Sequence, residues 1–155
     1  MKKIHNGWAD LPGHNCFGCA SGNPMGLHME FFEDGDDIVS TWHPHTHAQG
    51  WINTLHGGIQ AALADEIASW VLFRKLQTTG VTAKLEVQYK KSISTLDDHI
   101  TLRAHVTQQR RNLVDIEIGI FNAAGDLCTI AHALYFAASQ AKAQADGFKP
   151  FTLED

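Results

Sequence analysis

A histidine and two glycines, His56-Gly57-Gly58, open an apolar stretch, IQAALADEIASW, that carries two adjacent acids, Asp65 and Glu66. Each feature suits a definite chemistry. The first backbone N–H groups of a helix have no partner within it, and they sit at the positive end of its dipole. Glycine lets another group approach such a backbone closely. Gly57 and Gly58 can therefore hold a carbonyl oxygen that gains charge in a tetrahedral transition state. His56 can orient that carbonyl or hold the loop. A carboxylate among Ala61, Ala62, Leu63, Ala64 and Ile67 costs stability unless it is exposed, paired or used. Asp65 fits a general base on water or a nucleophile on a carbonyl carbon. Glu66 points about 100° away round the helix and cannot share its direction; it reads as a dimer-interface or surface salt-bridge residue.

The spacing sets a constraint. Asp65 lies nine residues after His56, about 12–13 Å along a helix. A base must come within about 3 Å of its proton or act through one water. Asp65 is thus too far from its own Gly57, and the reading that unites them is Asp65 of one subunit meeting Gly57 of another. Two-fold symmetry then gives two sites per dimer.

The elements that must position these groups follow from patterning. Residues 58–77 read as one long helix, with Ile59, Leu63, Ile67, Trp70, Val71 and Phe73 covering much of its circumference, so it needs burial on more than one side. Before it, GLHMEFFEDGDDIVSTWHP reads as two strands around a turn at Asp34-Gly35. After it come four stretches of period-two apolar patterning. These are VTAKLEVQY, HITLRAHVTQQ, LVDIEIGIFN (Val114, Ile116, Ile118 and, after a slip, Phe121) and the nearly continuous DLCTIAHALYFAAS. Short connections predict an antiparallel meander of all four. Residues 1–24 read as an irregular leader, and 140–155 as a tail that is either a short helix or mobile. The expected fold is a single α+β domain over 1–155, with a curved antiparallel sheet wrapped around one long central helix.

Composition narrows the class. The chain has 155 residues, 44% hydrophobic and 19% charged, with a formal net charge of -5. That speaks against a general nucleic-acid binder, which carries a basic excess. No apolar run approaches the roughly 20 residues of a membrane helix. Met1–Asn15 has two lysines but no apolar core behind them, so it is not read as a signal peptide. Three cysteines without an export signal point to reduced thiols and the cytoplasm.

The motifs carry a resemblance. GW…LHGGIQAALADE followed by VTAKLEVQYKKSI resembles the hotdog-fold acyl-CoA thioesterases of the phenylacetate-degradation type, and NCFGCASGNPMGLHMEF is similar to a leader found in a subset of them. The likeness covers roughly residues 14–138. It implies a hotdog fold, a homodimer or homotetramer, and hydrolysis of a thioester without metal or cofactor, coenzyme A being part of the substrate. Thr82 matches a position that often carries Ser or Thr in this family, where a hydroxyl could hold the attacking water. Simple alternation, however, puts Thr82 on the polar face unless the strand is bulged. Gln49 and Gly50 match the loop before HGG, and Gln49 could donate its amide to the carbonyl; Asn53 competes for that role. Arg110, Arg111 and Asn112 form a polar turn suited to the phosphates of coenzyme A, since guanidinium makes paired bonds to phosphate.

Two clusters remain. Cys16-x-x-Cys19 invites a zinc or redox reading. A structural zinc site needs four ligands, only His14 or His5 could help, and Cys128 lies on a strand; a redox dithiol lacks its strand–helix context. The leader is therefore read as packing over the sheet, with no metal. His43, His45 and His47 alternate in the loop before HGG and are read as lining the substrate entrance.

The expected function is an acyl-CoA thioesterase acting on a small-molecule substrate, with no nucleic-acid or membrane partner. The alternatives are an acyl-CoA or acyl-carrier-protein hydratase or dehydratase, or a non-catalytic acyl-CoA-binding module.

Overall fold

A computed structural model describes all 155 residues. Seven strands form one antiparallel sheet: β1 (Lys2–Lys3), β2 (Phe32–Asp34), β3 (Asp37–Trp42), β4 (Gly80–Tyr89), β5 (Ile100–Arg110), β6 (Leu113–Phe121) and β7 (Leu127–Ala137). The long helix α1 (Gly57–Val71) lies against β3, β4, β5, β6 and β7. A short helix, α2 (Gln140–Ala145), begins the tail, capped by the Ser139 hydroxyl, which accepts from the Lys142 N–H.

The strand order is β1-β2-β3-β5-β6-β7-β4. Only β5, β6 and β7 form a meander. The expectation that all four late strands meander fails at β4, which pairs with β7 at the far edge. The link between β4 and β5, residues 90–99, must cross three strand spacings, about 14 Å. Ten residues span that easily, so the turn at Thr95–Asp98 lies within a crossover and is not a hairpin. β4 thereby becomes an edge strand, with Val81 and Tyr89 exposed.

α1 meets the sheet with Gln60, Leu63, Ala64, Ile67, Ala68 and Val71, all buried. These recur at the three- and four-residue steps of one helical stripe. The facing sheet residues are Ile100, Leu102 and Ala104 on β5, Val114, Ile116, Ile118 and Ile120 on β6, and Ala131 and Ala133 on β7, all at 2% exposure or less. β6 alternates without the expected slip; Ile120 is the buried residue, and the register breaks only beyond it. A second side of α1 is covered by the leader, the segment just before β2 and the tail. Phe31 stacks on Trp70 at 4.1 Å, and Phe151 meets Trp70 edge-on at 4.9 Å. This is why the helix is apolar over so much of its circumference.

The helix does not run unbroken to residue 77. A π-turn over Leu72–Leu76 follows α1, and Gln77, at φ 49°, ends it in the left-handed conformation. Arg74 in this turn makes a paired contact with Glu33 (Nε–Oε2 2.9 Å, Nη2–Oε1 3.2 Å), and Lys75 Nζ stands 2.8 Å from the same carboxylate. These hydrogen bonds and charges hold the Glu33 carboxyl below the usual glutamate range. A depressed folded pKa contributes stability that is fully present above the unfolded pKa and is lost as pH falls through the folded one. Glu33→Gln is therefore expected to lower thermal stability at neutral pH and to flatten its decline in acid, read by melting curves from neutral pH down to about pH 3.

Candidate functional site

α1 presents Asp65 on the side left open by sheet and leader. Two hydroxyls converge on one of its oxygens. Thr82 donates to Asp65 Oδ1 at 2.8 Å, and Tyr135 donates to the same atom at 2.6 Å and to the Asp65 carbonyl at 2.8 Å. Asp65 Oδ2 takes no hydrogen bond within the chain and is free for water or substrate.

Thr82 reaches Asp65 because β4 is bulged. Its register against β7 runs Thr82↔Tyr135, then Lys84↔Leu134, leaving Ala83 as the extra residue. The extra residue reverses the alternation, so Thr82 shares a face with Leu85 and Val87 instead of with Lys84 and Glu86. Tyr135 is 2% exposed, and burial together with the bond to Asp65 pushes its hydroxyl well above the usual tyrosine range, so it stays a donor.

The other end of α1 carries the second half of the site. The His56 imidazole is the helix cap: its Nδ1 accepts from the Gly58 N–H at 2.8 Å. His56 thus fixes the loop, and the Gly58 donor is already engaged. The Gly57 N–H has no partner within the chain. The Gly57 carbonyl accepts from the Tyr89 hydroxyl at 2.6 Å, and a Cβ on Gly57 would lie 3.3 Å from the Tyr89 ring. Gln49 Oε1 accepts from the Asn53 N–H at 3.2 Å; Asn53 itself sits at φ 56°. The Gly50 N–H is taken by the Thr54 carbonyl, and His56 packs against Gly50. A cavity of about 260 Å³ beside Gly57 is lined by Tyr89, Lys90 and Lys91 among others.

The two halves stay apart in one chain. Gly57 and Asp65 are eight residues distant on one continuous helix, about 12 Å. Arg110, Arg111 and Asn112 lie at the Asp65 end, because Leu113 pairs with Phe136 and Val114 with Tyr135. Arg111 is the left-handed residue of this hairpin turn, and Arg110 reaches Asp115 at 3.4 Å. The three loop histidines form no ligand set: His43 Nδ1 lies 2.8 Å from the Asp98 carbonyl, while the His45 ring stands between Trp42 and His47.

A model of the thioesterase superfamily matches residues 52–129, which include Gly57, Asp65 and Thr82. This chain belongs to the thioesterase superfamily. Among solved structures, a hypothetical thioesterase protein from Streptococcus pneumoniae with coenzyme A is 25% identical, over 72% of this chain and 90% of that one, with a TM-score of 0.66. A thioesterase from Haemophilus influenzae is 23% identical, over 74% and 80%, with a TM-score of 0.66. A Streptococcus mutans protein bound to acetyl-CoA is 17% identical, over 72% and 89%, with a TM-score of 0.65. No curated protein sequence matches this one. The shared architecture is the hotdog fold, with the long helix against the antiparallel sheet.

Within this superfamily member, sequence reading missed Tyr135 and Tyr89. Both sit in apolar alternation and read as core or surface aromatics; only the fold shows where their hydroxyls end. Glu66 is not a surface salt-bridge residue. It is partly buried under the leader, accepts from Trp70 Nε1 at 3.2 Å, and lies 3.6 Å from Cys16 Sγ. Burial pushes its carboxyl up to about 7.

Tyr135→Phe is expected to lower turnover about tenfold with KM little changed, because one hydrogen bond to a charged acceptor is lost and Asp65 swings more freely. Steady-state kinetics with the Phe variant test this; an unchanged kcat would remove Tyr135 from the positioning of Asp65.

Proposed function

We propose that this protein is an acyl-CoA thioesterase of the phenylacetate-degradation type, working as a homodimer or a dimer of dimers. Asp65 of one subunit acts on a carbonyl held by Gly57 of the other. The observation that carries the reading is the split site: an oriented carboxylate and an open helix N-terminus lie about 12 Å apart on one helix. A second copy, placed antiparallel through the free edge of β4, would bring the unlike ends together and complete the two-fold arrangement. The exposed Val81 and Tyr89 side chains on that strand favour such burial.

In this reading the thioester oxygen accepts from the Gly57 N–H. Asp65 takes a proton from a water that the Thr82 hydroxyl helps to place, and the water oxygen attacks the carbonyl carbon. Charge gathers on the carbonyl oxygen, where the helix terminus stabilises it. The intermediate collapses, the carbon–sulfur bond breaks, and coenzyme A leaves with the proton returned by Asp65. No metal or cofactor enters these steps. Gln49 or Asn53 adds a side-chain amide at the carbonyl, with Gly50 and Gly58 shaping the approach. Arg110 and Arg111, in the turn with Asn112, and Lys90 and Lys91 beside Gly57 offer cations for the coenzyme A phosphates. The coenzyme A and acetyl-CoA in the two streptococcal structures support this ligand class.

Thiol release from short, medium, long and aromatic acyl-CoAs tests the reading. Turnover of at least one class is expected. Loss or gain of a double bond without thiol release would make the protein a hydratase or dehydratase, and binding with neither reaction would make it a binding module.

A further inference from the structure

The helix that carries Asp65 also anchors a cluster that the thioesterase reading does not use. Cys16 Sγ, Cys19 Sγ and a Glu66 carboxylate oxygen lie within 4.8 Å of one another, and Cys16 Sγ is 3.6 Å from both Glu66 oxygens. In a tetrahedral zinc site with usual bond lengths, sulfur and oxygen ligands stand about 3.5 Å apart. The cysteines come from a tight loop in the leader, and Glu66 comes from α1, 50 residues on.

Three further observations mark the cluster as built. The Gly18 N–H donates to Cys16 Sγ at 3.3 Å, a contact that favours the thiolate. A Cβ at residue 18 would stand 2.3 Å from the Glu66 carboxyl carbon, so any side chain there would push Glu66 away from the cysteines. Finally, Glu66 has no Lys, Arg or His ion partner anywhere in the chain; its donors are the Trp70 indole and the Cys16 thiol. Three groups that can each become an anion thus meet, partly buried, with no cation beside them, and a bound cation would balance them.

We propose that Cys16, Cys19 and Glu66 form a binding site for a thiophilic divalent cation, Zn²⁺ foremost, which staples the leader to α1. Two thiolates and one carboxylate supply three ligands, and solvent fills the fourth position. Binding expels the thiol protons to solvent, with no change in oxidation state. Cys19 and Trp70 also line a neighbouring surface cavity. His14 lies two residues before Cys16, and its buried Nε2 has no hydrogen-bond partner, but it falls outside the trio and is not counted. The site does not depend on the hydrolase reading; it sits one residue from Asp65 and holds the helix from a face about 100° round from it.

The test uses the full-length protein, fully reduced and stripped with a chelator. Zn²⁺ alone is added, and bound metal is measured by equilibrium dialysis with elemental analysis. Wild type is expected to hold one zinc per chain. The double variant Cys16→Ser/Cys19→Ser should bind at least about 100-fold more weakly, and Glu66→Gln about tenfold more weakly. The double variant also controls for zinc held by surface histidines. Co²⁺ titration of wild type should give the near-ultraviolet charge-transfer absorption of a thiolate–metal bond, a reading that needs no variant to fold. Absence of that band in reduced wild type, or zinc binding equal in wild type and the double-serine variant, overturns the proposal. Recovery of a Cys16–Cys19 disulfide whose reduced form takes up no zinc overturns it as well.

Discussion

Asp65→Asn is expected to lower thiol release from the best acyl-CoA by at least about a hundredfold, with KM changed far less. Asparagine keeps the shape of the side chain, and its carbonyl oxygen can still accept from Thr82 and Tyr135, which both bond Oδ1 in the wild type. What disappears is the charge and the ability to take a proton. The expected effect is therefore on turnover and not on folding, and melting temperature should stay within a few degrees of wild type. If Asp65 attacked the carbonyl itself, an acyl–carboxylate anhydride would form and the same variant would be equally slow. A single turnover in ¹⁸O-water that labels the Asp65 carboxylate identifies the anhydride route, with water attacking the Asp65 carbon. A fully active Asn variant would remove Asp65 from the chemistry.

Gly57→Pro should cost a comparable factor, about 10²–10³ in kcat. Proline is favoured at the first position of a helix, where its missing N–H would have no helical partner. The residue before it must be extended, and His56 already stands at φ -59°, ψ 132°. The added ring carbons meet Tyr89, whose nearest atom would be 3.3 Å from a Cβ, so a small side-chain shift suffices. The substitution thus removes one hydrogen-bond donor while leaving the helix start intact. Gly57→Ala is the companion: it keeps the N–H, adds the same crowding, and should retain most activity. Equal loss in both would assign the effect to crowding against Tyr89.

Much of this arrangement is legible in the sequence, for physical reasons. The helix announces itself through the 3.6-residue spacing of Leu63, Ile67, Trp70 and Val71, and its start through His56-Gly57-Gly58. The excessive distance from Asp65 to Gly57 follows from helical rise alone. What is not legible is set by partners far along the chain. The place of β4 at the far edge depends on where a ten-residue crossover lands. The bulge at Ala83 is invisible because Val81, Ala83, Leu85 and Val87 make an unbroken alternation on paper, and so Thr82 read as a polar-face residue. Tyr135 looked like one more apolar position in a nearly continuous strand. Glu66 looked exposed because its cover, Cys16 and Gly18, lies some 50 residues earlier.

The central claim is that the site is shared between subunits. The direct measurement mixes Asp65→Asn and Gly57→Pro chains by co-expression, with different tags to confirm that mixed dimers form. Each chain alone is expected to be nearly inactive. A random mixture gives half mixed dimers, each with one intact site, so thiol release should recover to about a quarter of wild type. A mixture in which tagged mixed dimers are recovered, yet whose activity stays at the level of the separate variants, would contradict a site shared between Asp65 and Gly57 of different subunits.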